Sequence, residues 1–394
     1  MFRNLVLFLL CACAFAPAAD KPKYLFVWAG DDAKKSEDFL AVIDADPQSK
    51  TYGQSVATVN VPGATGTPHH TELVMGKNGH LLANQHDSGQ TIVFDVHDPQ
   101  HPKVLHTYGD LAGYAHPHTY IREGNNVLAT FQYHGMAHMR GHKMPAEPGG
   151  LVRFTEAGKV LASGSADDPT AKDELIRPYS VVALPKMDRA VSTNTSMHQD
   201  EGSSRTIQIW RLRDLKLLKT IALPAPANGQ NNELPGEPVI AADGKSVLIH
   251  TFRCGLYEAK DIDTKPAVRQ LRTFDDDFCG VPLRMGRYWV ATLMHKHAVA
   301  VYDLNSPDVK EVSRVTLDDK QLPHWLSPDA SGKRLVFNSG EYGEHRLFIF
   351  DFDPATGALK LDENFRDAGS DRPGVSMDGK KWGNAYPHGT VFSN

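Results

Sequence analysis

Short runs rich in Val, Ile, Leu, Phe and Tyr, broken by Gly, Asp, Asn and Pro turns, follow one another along nearly the whole chain. That is the grammar of strands and tight turns. The runs also repeat in groups. "GHLLANQ", "QTIVFDVHDP" and "VLHTY" form one phrase, which recurs as "RYWVATLM", "HAVAVYDLNSP" and "EVSRVTL" and as "KRLVFNSG", "HRLFIFDFDPATG" and "ALKLDENF". A period of about 40 to 50 residues is the signature of propeller blades.

Each phrase except the first is preceded by one more short strand: "HHTELVM", "HTYIRE", "YSVVAL", "PVIAA", "GVPLRM" and "HWLSP". The strand missing from the first phrase, "KYLFVWAG" onward, lies at the other end of the chain in "AYPHGTVFSN". The pattern therefore predicts an all-β fold, a seven-bladed β-propeller whose C-terminal strand closes the blade begun near the N-terminus. Two consecutive β-sandwiches would not leave that terminal strand unmatched.

In a four-stranded antiparallel blade, the start of the innermost strand and the loop between the second and third strands lie at one face. The inner-strand starts read "TPHH", "HPHT", "RPYS", "GEPV", "CGVP", "LPHW" and "YPHG", which bring His69, His70, His118, His324 and His388 to one channel mouth beside Tyr179, Glu237 and Cys279. The second-to-third loops add His86, His134, His198, Cys254, His295 and His345 at the same rim, whereas His80 maps to the opposite turn. A single such imidazole is usually structural, packing at a crowded axis. Several converging from separate strands make a preorganised transition-metal site with room for an exchangeable ligand.

Composition narrows the reading. The chain has 394 residues, is 41% hydrophobic and 23% charged, and carries a net charge of -5 with no basic block, so nucleic acid is not an expected partner. The stretch "MFRNLVLFLLCACAFAPAAD" has the charged start, apolar centre and small-residue end of a secretory signal, with cleavage near Ala19. This leaves residues 20–394 as one propeller domain, periplasmic or secreted. A rival reading acylates Cys13 as a lipoprotein anchor after a short apolar run. No later segment is long and apolar enough for a membrane span. Of the 4 cysteines, Cys254 and Cys279 remain after cleavage, either as a disulfide or as free thiols. The loop "YHGMAHMRGHKMP", with His and Met between His134 and Met144, mixes ligands that copper favours; it reads equally as an exposed insertion.

The stretches "YLFVWAG", "DFLAVIDADPQSKTYG", "PHHTE", "HPHTYI", "MHKHAVAVYDLNSPD", "SGKRLVF", "ATGALKLDENF" and "AYPHGTVFSN" resemble the selenium-binding protein family, whose members include methanethiol oxidases. The resemblance implies a seven-bladed propeller and copper-dependent oxidation of methanethiol by O2 and water to formaldehyde, hydrogen sulfide and hydrogen peroxide. By motif it carries family histidines to His69, His70, His118, His295 and His388; His324 comes from the register of the inner strands. The cysteine-rich segment linked to selenium binding in animal members has no counterpart after "PHHTE".

The leading expectation is thus an exported copper oxidase of a small sulfur compound, with Glu237 or Tyr179 assisting proton transfer. A non-enzymatic propeller binding copper or a partner at the same mouth is the alternative. A lactonase-type hydrolase would need a hard cation on oxygen ligands, and the axis offers imidazoles instead.

Overall fold

In the computed structural model, residues 24–86, 88–135, 147–226, 231–379 and 382–394 are described; the expected signal and Cys13, and most of the His/Met loop, lie outside them. Seven antiparallel sheets form the ring; six are laid down in chain order from the innermost strand outward, and the other takes its innermost strand from the C-terminus. The innermost strands are Pro68–Thr71, Tyr114–Glu123, Pro178–Leu184, Pro235–Ile240, Leu283–Met285, Trp325–Pro328 and Gly383–Phe392. The last of these pairs antiparallel with Tyr24–Asp31, Leu25 facing Phe392, so the ring is closed by strands from the two ends of the chain. Helix is confined, among the described residues, to the 3-10 turns Pro185–Met187 and Gln199–Glu201. None is long and apolar enough to cross a membrane.

Burial follows position in the blade. Middle strands such as Phe39–Asp44 and Tyr288–Leu293 are buried throughout, because both faces pack on neighbouring blades. Outer strands such as Ser55–Asn60 and Val160–Ser165 alternate half-buried and exposed residues. The core is accordingly a set of layers between blades. Phe26, Trp28, Leu40 and Val42 of the first blade meet Leu81, Ala83, Ile92 and Phe94 of the second, and Leu25, Val27 and Ala29 meet Val336, Leu347 and Ile349 of the seventh. Each such Val, Leu, Ile or Phe side chain contributes roughly 1.5–3 kcal/mol on burial.

Proline shapes the inner strands. Register breaks fall between Pro68 and Thr71, Pro117 and Tyr120, Pro178 and Val181, and Pro235 and Pro238. A proline lacks the N–H that a ladder needs, and a bulge there turns the following side chains away from the strand's regular alternation. The two residues after each proline are thereby aimed into the channel. Polar side chains of the adjoining blade fix them: Asn84 Nδ2 donates to the Pro117 carbonyl at 2.7 Å, Thr130 Oγ1 to that of Tyr179 at 2.7 Å, and Asn338 Nδ2 to that of His388 at 2.7 Å.

Candidate metal centre in the propeller channel

The bulges produce two layers of side chains across the axis. The first residue after the proline supplies His69, His118, Tyr179, His324 and His388; the second supplies His70, Thr119, Ser180, Glu237 and Trp325. Ring centres of His69 lie 4.2 Å from His70, 4.8 Å from His118 and 4.3 Å from His388, and His70 lies 4.3 Å from His118. His69, His70 and His388 each bring a ring nitrogen within 4.8 Å of the others. His324 joins through His388, their Nε2 atoms being 3.0 Å apart.

These imidazoles are held in one protonation state. All five are at most 3% exposed. Burial, followed by the neighbouring imidazoles, keeps His69, His70 and His388 well below their usual pKa. Burial also pushes His118 down to about 3 and His324 to about 4. His118 Nδ1 lies 2.8 Å from the Tyr179 carbonyl, which only accepts, so Nδ1 carries the proton and Nε2 keeps its lone pair. That Nε2 and the Nε2 of His70 are buried without a hydrogen-bond partner. Orphaned buried nitrogens of this kind are costly unless an ion or water completes them, and a backbone carbonyl orienting the far nitrogen is the usual support of a metal-binding histidine.

Glu237 is buried at the same level, its Oε1 3.7 Å from His70 Nδ1. Burial raises its pKa to about 7, against hydrogen bonds from Ser180 and Thr119 that favour the carboxylate. Tyr179 packs its ring 3.8 Å from that of His118, and burial, then Glu237, keeps its phenol protonated.

The histidine level separates two cavities. One, of about 400 Å³, opens to the mouth and is lined by His69, His324, Tyr179, Tyr342, Phe252 and Phe278 among others. The other, of about 520 Å³, runs from the opposite face up to His70, Glu237, Ser180 and Trp325. Arg122 lines it and ion-pairs with Glu72 and Glu156.

Not every expected residue reaches the axis. His295 does not: its side chain is 57% exposed and its Nδ1 lies 2.5 Å from Asp277, because it sits on the turn after Tyr288–Leu293 at the outer rim. His345 pairs with Asp378 and His134 with Glu147, also away from the cluster. Cys254 and Cys279 form a disulfide inside an apolar cluster, so neither thiol is a ligand. His80 faces Glu156 at 2.7 Å, outside the set as its register implies. One residue was missed. His250, from the second strand of the fifth blade, is 2% exposed, and burial lowers its pKa to about 3. A Cβ on Gly236 would meet its ring at 2.0 Å, so the bare position on this inner strand, one of three without Pro-His, is filled by an imidazole from the next strand. The glycine in "PGEP" was the available signal.

Against known proteins, no family model matches the chain. A methanethiol oxidase from Hyphomicrobium sp. is 26% identical over 224 residues, 51% of this chain and 48% of that protein. A second, from Ruegeria pomeroyi, is 27% identical over 178 residues, 41% of this chain and 37% of its own length. The chain is similar to methanethiol oxidases. The matched regions span about half or less of those relatives. Among solved structures, a hypothetical selenium-binding protein from Sulfolobus tokodaii superposes with a TM-score of 0.75 at 15% identity, covering 95% of this chain and 94% of the other. A periplasmic gluconolactonase from Pseudomonas aeruginosa superposes at 0.63 with 13% identity, covering 94% and 99%. At such identities these two speak for the fold alone.

Proposed function

We propose that the protein is a copper-dependent oxidase of a small thiol, converting methanethiol, O2 and water to formaldehyde, hydrogen sulfide and hydrogen peroxide. The observation that carries this reading is the convergence of His69, His70, His118 and His388 with the buried, unpartnered Nε2 atoms of His70 and His118. The similarity to methanethiol oxidases supports the substrate class.

His69, His70, His118 and His388 would hold the copper, with His324 supporting His388. When bound, copper supplies an affinity for thiolate sulfur and one-electron exchange with O2. The remaining work falls to this chain. Glu237, poised near neutrality, takes the proton released as a thiol or water ionises, while Ser180 and Thr119 fix its carboxylate. Tyr179 remains a hydrogen-bond donor rather than a base, and its carbonyl holds the His118 tautomer. Trp325, its ring 4.7 Å from His70, closes the centre against bulk water. With the expected signal, the enzyme would work in the periplasm or outside the cell.

The alternative, a propeller that sequesters copper without turnover, draws on the full burial of the cluster, which would suit holding an ion as well as exchanging ligands. Oxygen uptake by copper-loaded protein given methanethiol distinguishes the two. Peroxide and sulfide formation is the expected result; copper binding with no thiol-dependent uptake would establish sequestration.

A further inference from the structure

A second group of histidines stands between the mouth and the buried cluster. His86 follows the strand His80–Gln85, His116 lies in Tyr114–Glu123, and His198 follows Arg189–Asn194, so three consecutive blades contribute one each. Their ring centres are 5.5 Å apart for His86 and His198, 5.8 Å for His86 and His116, and 6.4 Å for His116 and His198. An imidazole nitrogen binds a first-row metal at about 2 Å, which puts ring centres of three tetrahedral ligands roughly 5 to 6 Å apart. Two of the three spacings fall in that range, and the third, between His116 and His198, is wider.

The backbone adds an independent observation. His116 has φ 56°, the left-handed region, although it is not glycine and is only 6% exposed. Such a residue costs on the order of 1 kcal/mol or more, and strain of this kind gathers at functional sites. Glycine or asparagine would make the same turn at less cost, so the turn alone does not account for an imidazole there. The strained turn sets the ring facing His86 and His198. His86 in turn stands 5.7 Å from His69, the first residue of the buried cluster.

We propose that His86, His116 and His198 form a second transition-metal site at the channel mouth, in series with the buried one, through which the ion passes to His69. Three imidazoles suit Cu(II) or Zn(II) rather than a hard cation. The inference rests on the buried cluster being the copper centre, and it makes the mouth the loading side and the opposite cavity the side left to small molecules.

The test is copper per chain after apo protein is equilibrated with chelator-buffered Cu(II) and desalted. It compares wild type, His116→Asn, His198→Gln and His118→Ala, with melting curves to confirm folding. His116→Asn retains a residue that tolerates the left-handed backbone; should it fail to fold, His198→Gln, on a partly exposed turn, decides alone. Each mouth variant is expected to carry one copper fewer than wild type, its mouth affinity falling at least about tenfold, and to keep the buried ion. Equal copper in wild type and the folded mouth variants would overturn the second site. Full retention by His118→Ala, with loss in the mouth variants, would instead overturn the buried centre.

Discussion

His118, in an inner strand, and His295, on a turn, lie toward one face of the ring, yet one is 1% exposed with its Nδ1 on a backbone carbonyl, while the other points to solvent beside Asp277. The difference is radial position. Inner-strand residues converge because seven strands meet around one axis, whereas turns between second and third strands fan outward, so equal sequence register there does not mean proximity. His86 and His198 show how far that rule bends. They lean inward from the same class of turn and reach each other, though not the buried cluster as a set.

The largest expected effect separates axis from rim most sharply: His70→Ala or His388→Ala abolishes thiol-dependent oxygen uptake, and His295→Ala leaves it at the wild-type rate. The pH dependence of stability separates them next. Each buried imidazole, His69, His70, His118, His250, His324 and His388, has a folded pKa below its unfolded value near 6.5. The unfolded chain therefore binds the extra protons, and stability falls as pH drops below 6.5, through about 4 for His324 and about 3 for His118 and His250. Glu237 opposes this with one proton, since its folded pKa of about 7 exceeds the usual carboxylate value and its contribution is lost as pH rises toward 7. Metal-free protein should take up protons on unfolding at pH 5, readable as a positive slope of stability against pH. A slope near zero would mean that the cluster is solvated.

How much of this was legible in the sequence depends on what each signal encodes. The blades were readable because strand periodicity and turn residues are local, and closure followed from one unmatched strand. The histidine ring was readable because Pro-His recurs where a proline breaks the ladder, and the break itself aims the side chain. His250 escaped because its position is set by the absence of a side chain on Gly236 across the sheet, a relation between strands that no single stretch displays. His295 misled because its motif carries a turn, and the radius of that turn is a property of the assembled ring. The pairing of Cys254 with Cys279 likewise needed the fifth and sixth blades to be placed side by side.

Smaller effects refine the contrast. Glu237→Gln is expected to slow oxygen uptake by roughly 10²–10⁴-fold while copper stays bound; loss of copper along with activity would give Glu237 a ligand-positioning role instead. Replacing both Cys254 and Cys279 by serine should cost about 3 kcal/mol in a denaturant titration, from the loop of sequence separation 25 that the bond closes, without changing metal content. His295→Ala, removing a largely exposed side chain, should stay within about 0.5 kcal/mol of wild type.

What decides between axis and outer rim is whether copper sits among His69, His70, His118 and His388 rather than at His295. Elemental analysis of protein produced through export with copper available, comparing wild type with His118→Ala and His388→Ala, tests it directly. Copper in the wild type and loss of the buried ion in both variants is the expected result. Full copper in both would contradict it.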